Sequence, residues 1–216
     1  EYNQVQDAID GKPSEAIEPI FESLIKPALN IYTAMHKSRD TRGALTLNTR
    51  EQRIAKDGEG EVHMQIDEQN ESHGIIEELM IASNRCAIQS LIDAEITLLA
   101  RVHGLPNKQT LKQSATKLQS LGIEMPDESL DAKVQMHNIL SQVRLIDNID
   151  KQEEITNIII RSQARARYSS DLSGHFALQL MADLNKKYDA YTHQTSPIRR
   201  LIDLHVHYLI NEAEDL

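Results

Sequence analysis

The chain has 216 residues, of which 40% are hydrophobic and 26% charged, and its formal net charge is −10. That size suits one domain or a large part of a bigger protein. The acidic balance excludes a protein that coats nucleic acid through a broad basic surface, though not one with a locally basic channel. With no Trp and 4% aromatic residues, the core must be mainly aliphatic. The apolar runs fall far short of the ~18 residues that suggest a membrane span, so no membrane partner is expected. Cys86 is the single cysteine, which rules out an internal disulfide and favours a reducing, cytoplasmic setting. No leader pattern opens the chain, and the ends at Glu1 and Leu216 lead us to expect a piece of a longer protein.

Along the chain, a first helix is predicted over 18–38. Pro19 suits its first turn, and Phe21, Leu24, Ala28, Tyr32 and Met35 recur at helical spacing, with a kink at Pro27. From 44 to 67 the period becomes two. Leu45 and Leu47, then Val62, Met64 and Ile66, alternate with polar residues around Asp57-Gly58, which predicts short antiparallel strands. A second helix is predicted over 72–93, with Ile75, Ile76, Leu79, Ala82 and Cys86 as its inner stripe. Alternation of Ile96, Leu98, Ala100 and Val102 predicts a further strand over 96–103, or alternatively an extension of that helix. Helices follow over 107–120, 129–146 and 152–167, then a loop at 169–174, an apolar segment at 176–181 and a last helix over 197–213. The fold class is α+β and mostly helical, in a sheet whose other strands lie outside this sequence.

The chemically informative stretch is Tyr191-Thr192-His193-Gln194-Thr195-Ser196-Pro197-Ile198-Arg199-Arg200. Thr195 or Ser196 suits an N-cap and Pro197 the first helical position, with Ile198, Leu201, Ile202 and Leu209 facing a core. Arg199 and Arg200 would then sit in the first helical turn, against the helix dipole. Free backbone N–H groups, hydroxyls and guanidinium forks there would make a phosphate site. The plain alternative is two solvated arginines, one of them paired with Asp203.

This stretch resembles the signature of the ribonuclease II/ribonuclease R catalytic domain, Y-[AT]-H-F-T-S-P-I-R-R-Y-x-D-L-x-x-H-R. Tyr191, Thr192, His193, Thr195 through Arg200, Asp203, Leu204 and His207 stand in matching places. Upstream, His175-Phe176-Ala177-Leu178 is similar to the family's H-F-G-L, and Arg161, Ser162, Ala166 and Tyr168 to its R-S-M-x-x-A-x-Y. His73, Ile76, Glu77, Glu78, Met80 and Asn84 look like its H-x-L-I-E-E-x-M-x-x-A-N. Arg42-Gly43-Ala44-Leu45 and Tyr2, Val5 and Gly11 also fall in order.

The resemblance implies that residues 1–216 are the C-terminal part of one RNB-type catalytic domain. The parent would be a Mg2+-dependent 3′→5′ exoribonuclease acting on single-stranded RNA, with DNA not a main substrate. The metal-binding D-x-D-D-A aspartates of the family lie upstream of this chain. Asp127, Asp131, Asp147 and Asp150 are scattered and are read as solvated or capping residues, so no metal site is expected here. Carried over by position, Arg199 stabilises charge at the scissile phosphate, and Arg200, Ser196 and Thr195 hold RNA beside it. Glu77 accepts hydrogen bonds from the hydroxyls of the terminal ribose. Leu47 stands where the family has a base-stacking phenylalanine and offers no aromatic face. Gln194, Leu201 and Tyr208 also depart from the pattern, and the segment from Leu178 to Tyr191 is longer. Two rivals remain open: a non-catalytic RNA-binding relative, and a helical protein-interaction scaffold. The oligomeric state is not legible.

Overall fold

The computed structural model describes residues 1–42, 44, 51–56, 58, 60–67, 70–106, 108–181 and 190–214. They fall into two compact units, Glu1–His36 with Thr46–Glu78, and Lys37–Leu45 with Leu79–Leu216. The first unit opens with helix α1 (Tyr2–Ile9), which periodicity did not single out. Ala8, Ile17 and Ile25 form a small buried core, with Val5, Ile9 and Phe21 packed around it. A short helix α2 (Glu18–Ile20), with Pro19 in its first turn, leads into a π-helical turn at Phe21–Ile25 and then α3 (Lys26–Thr41). The break expected at Pro27 thus falls just before it. The wider turn places Pro27 at the start of α3, where its missing N–H costs little.

Strands β1 (Glu51–Lys56) and β2 (Val62–Asp67) pair antiparallel, in register from Glu51↔Asp67 to Lys56↔Val62. The expected alternation at Leu45 and Leu47 lies outside the described residues. Ile54, Val62 and Met64 are exposed, so the hairpin shows an apolar face.

Helix α4 (Glu71–Asp93) has a different inner stripe from the expected one. Ile75 is buried, but Ile76, Leu79 and Cys86 are exposed, and the buried line is Ser72, Ile75, Glu78, Asn84, Ala87, Ile88 and Leu91. Polar residues can hold buried positions because each finds a partner. Ser72 Oγ donates to Asn70, the Glu78 carboxylate lies 3.4 Å from His36, and Asn84 donates to a tyrosine hydroxyl described below. Hydropathy alone does not reveal such pairs.

In the second unit, β3 (Ala100–Val102) pairs antiparallel with β4 (Arg167–Ser169), placing Arg101 opposite Tyr168. Ile96 is not in a strand; its N–H bonds Leu91 O and closes α4, with Glu95 at a φ of 57°. Helices α5 (Lys108–Ser120), α6 (Ala132–Val143) and α7 (Ile149–Ser162) bury Leu118, Met136, Ile139, Ile155 and Ile159 completely. Helix α7 stops short of the expected 167 because Arg167–Ser169 belongs to β4. Gly122 ends α5 at a φ of 83°, a left-handed conformation that suits glycine. Strands β5 (Gly174–His175) and β6 (Leu180–Met181) flank a 3-10 turn at Phe176–Leu178. Helix α8 (Leu201–Glu214) seats Val206, Leu209, Ile210 and Ala213 on a core built from Ala87, Ile88, Leu91, Leu98, Ala100, Val102 and Ala190. Among the described residues no helix is long and apolar enough to cross a membrane.

One close approach in the first unit yields a test. A Cβ on Gly74 would lie 2.6 Å from Tyr32 Cε2 and 2.9 Å from its hydroxyl. Gly74→Val should therefore cost about 1–3 kcal/mol through overpacking, read as a lower urea midpoint. Adding Tyr32→Ala should recover part of that loss. An unchanged midpoint in the single variant would show that the Tyr32 ring swings aside freely.

Candidate nucleic-acid interface

The signature stretch is laid against the second unit's sheet and α4 by a chain of hydrogen bonds. Arg101 N–H donates to Tyr191 O at 2.7 Å, and Thr192 Oγ1 donates to Leu99 O at 3.0 Å. Asn84 is used at both ends of its amide: Nδ2 donates to the Tyr191 hydroxyl at 2.8 Å, and Oδ1 accepts from Gln194 N–H at 2.7 Å. Gln194 Nε2 donates to Ser83 Oγ at 2.6 Å and to Ser83 O at 3.0 Å. The glutamine that replaces the usual aromatic residue is therefore an anchor to α4. From α8, the His207 imidazole bonds Gln194 O at 2.7 Å.

The next residues form a tight turn. Ser196 O accepts from Arg199 N–H and Arg200 N–H at 3.3 and 3.2 Å. The fully buried Asp203 carboxylate accepts at Oδ1 from Ser196 N–H at 2.7 Å and from Arg200 Nη2 at 2.8 Å. Helix α8 consequently starts at Leu201, not near Pro197. Arg199 and Arg200 precede the helix, and the dipole argument for an anion at its first turn does not carry over. Ile198 and Leu201, expected in the core, are exposed. Arg200 is half-buried, spent on Asp203 and within 3.5 Å of Thr195 Oγ1. Arg199 is exposed, and its guanidinium has no partner among the described residues.

Beside the turn lies a layer of rings. The Arg101 guanidinium sits 5.0 Å from the centroid of the Tyr168 ring, the geometry of a cation–π contact. The Tyr168 hydroxyl is 2.6 Å from His193 Nδ1, and His193 and His175 both meet Tyr191 edge to face. Burial pushes His175 down to about 3, with His103, Arg101 and His193 acting in the same direction. Burial also pushes His193 down to about 4; Arg200, Arg101 and Arg199 add to this, and Asp203 offsets part of it. Both imidazoles are therefore neutral near pH 7. Burial raises the Tyr168 and Tyr191 phenols, so both keep their protons. His103 ties the segment after α7 to the 3-10 turn: Nε2 is 2.7 Å from Ala164 O, and Nδ1 accepts from Ala177 N–H at 3.2 Å.

The other expected residues belong to the first unit or lie outside what is described. Glu77 is half-buried on α4 in the first compact unit, where its neighbour Glu78 is the more buried carboxylate. Leu47 lies outside the described residues. Arg161, from the motif match upstream of the signature, lines a surface depression with Lys117, Asp150, Glu153 and Glu154. Among the described residues no three His, Cys, Asp or Glu side chains converge as metal ligands. Asp127 is held below its ordinary value by Ser129, whose N–H donates to it at 2.8 Å, as in a turn cap. Sequence reasoning missed Arg101, visible only as the polar position between Ala100 and Val102. It also missed what Asn84 does, since its partners are more than a hundred residues away.

Three comparisons bear on this arrangement. The RNB domain model matches residues 1–215. Ribonuclease R of Escherichia coli is 29% identical over 182 residues, covering 84% of this chain and 21% of that protein. The chain thus spans about a fifth to a quarter of the length of the first curated relatives it matches. Mycoplasma genitalium RNase R, solved in complex with ribose methylated single-stranded RNA, superposes with a TM-score of 0.80 at 26% identity, over 99% of this chain and 34% of that one. Yeast Ssd1, a pseudonuclease, shares the fold at 16% identity and a TM-score of 0.64, over 98% of this chain and 25% of that one. With its matched length, its residue order and its fold in agreement, the chain belongs to the RNB domain family, that of ribonuclease II and ribonuclease R.

Proposed function

We propose that this chain is the C-terminal part of an RNB catalytic domain in a cytoplasmic 3′→5′ exoribonuclease that hydrolyses single-stranded RNA to nucleoside monophosphates. The observation that carries this reading is Arg199. It is exposed and unpartnered among the described residues, on a turn that Asp203 and Arg200 fix, in a chain whose first curated relatives are ribonuclease R proteins. Such a guanidinium can meet a phosphate through two parallel N–H donors without first giving up another partner. In this reading Thr195, Ser196 and Arg200 shape the turn that presents Arg199. Glu77 accepts from the ribose hydroxyls and Leu47 packs on the terminal base. Mg2+ would be held by aspartates of the parent outside this chain, and would serve to activate water. A non-catalytic RNA-binding parent is the second reading, supported by the same fold in the pseudonuclease Ssd1.

Arg199→Ala in the full-length protein should lower single-turnover cleavage about a hundredfold or more. RNA affinity should fall much less. Arg199→Lys should recover only part of the rate, since an ammonium lacks the two-pronged contact. Equal losses in rate and affinity would make Arg199 a general phosphate anchor, and a parent that binds RNA without cleaving it would select the second reading.

Asp203→Asn tests the support of the turn. It removes the negative charge from the buried Arg200 pair, and should destabilise the chain by about 3 kcal/mol, read by urea unfolding. Cleavage should fall along with stability; full stability with normal cleavage would show that the turn holds without the carboxylate.

A further inference from the structure

Positive charge gathers in one place on this acidic chain. Arg101, Arg199 and Arg200 all act on His193, whereas Asp203 is the one acidic group among the causes of that histidine's shift. Asp203 is already engaged by Ser196 and Arg200. Neither Arg101 nor Arg199 has a carboxylate or hydrogen-bond partner for its guanidinium among the described residues. The sheet register and the Tyr168 ring hold Arg101 in place, leaving its edge N–H groups to meet a ligand. The Tyr168 hydroxyl lies 2.6 Å from His193 Nδ1, and in the neutral tautomer that suits an anion the phenol donates to that nitrogen. That leaves the proton of the neutral ring on Nε2, which has no partner among the described residues. Guanidinium edges and an imidazole N–H together are donors without an acceptor, and such a set selects an anion.

We propose that Arg101, seated on Tyr168, and the Nε2–H of His193 form a second phosphate position, which takes a phosphodiester of single-stranded RNA other than the one met by Arg199. This rests on the reading of the parent as an RNA-degrading enzyme. Arg101 supplies charge and the paired donors, His193 supplies one neutral donor, and Tyr168 is a positioning residue that sets both. The site therefore grips the strand backbone at two consecutive stations without reading its bases.

The test uses the full-length protein with a 12-nucleotide oligouridylate in EDTA, so that binding is read without cleavage. Arg101→Gln should weaken binding about tenfold to a hundredfold, as for loss of a charged hydrogen bond. It should also lower the slope of log affinity against log salt by about 0.7, the value for one phosphate contact on a single strand. Tyr168→Phe, which keeps the ring under Arg101, should cost about threefold to tenfold with the salt slope unchanged. A series of oligomers carrying one uncharged methylphosphonate should show one position that weakens the parent but not Arg101→Gln, and a different position for Arg199→Gln. If Arg101→Gln fails to fold, Arg101→Lys replaces it; it should keep the salt slope but lose part of the affinity. RNA binding by the parent with full affinity and slope in the Arg101 variant would overturn the second position alone. So would both arginine variants losing the same oligomer position. A parent that neither binds the oligomer nor degrades it with Mg2+ would overturn the functional reading and this proposal together.

Discussion

The buried carboxylate of Asp203 sets the geometry on which the interface depends. A carboxylate removed from water is costly unless its oxygens are hydrogen-bonded and its charge is matched. Asp203 meets part of that demand by taking Ser196 N–H and the Arg200 guanidinium on Oδ1, while its buried Oδ2 has no hydrogen-bond partner among the described residues. Those two contacts join the residues before α8 to the helix itself and turn the chain back at Pro197–Arg199. They also divide the labour between neighbouring arginines. Arg200 is consumed in neutralising the carboxylate, while Arg199, next in sequence but on the outside of the turn, keeps its donors available.

Around that turn, most of the signature residues serve as framework. Tyr191 and Thr192 are pinned to Asn84 and to the β3 strand, Gln194 to Ser83 and Asn84, and His207 to Gln194. This explains how a glutamine can replace an aromatic residue: it meets α4 through its amide, at a point where a ring would rely on packing. It also explains why the aromatic layer is electrically quiet. Neutral His193, which feels Arg101, Arg199 and Arg200, and neutral His175, which feels Arg101, add no further repulsion to those arginines.

Much of this was legible before the structure. Helical spacing located α3, α4 and α8, and the alternation of Val62, Met64 and Ile66 located β2, whereas β1 at Glu51–Lys56 carries no such pattern. Helix α1 escaped because it is mostly exposed and its cap is Glu1, not a serine or threonine. The inner face of α4 escaped because Ser72, Glu78 and Asn84 are buried through partnerships that hydropathy does not encode. The start of α8 was misplaced for a related reason: Thr-Ser-Pro has the form of a helix entry, but the Asp203 side chain captures Ser196 N–H and keeps it for the turn. Arg199 was found from the signature. Arg101 was not, since its place beside Tyr168 comes from pairing across two short strands.

His103 carries a demand of another kind. One of its nitrogens faces a carbonyl and must donate, and the other faces an amide and must accept. Only an uncharged imidazole does both, and its two nitrogens lie on different edges of a rigid ring, so the distance it spans is fixed. Asparagine and glutamine also have a donor and an acceptor, but both sit at a single tip, not on two edges of a ring. Lysine and arginine only donate, and carboxylates only accept. Of the twenty side chains, histidine alone has the shape and polarity of this joint, which makes position 103 a place where chemical similarity is no guide to replacement.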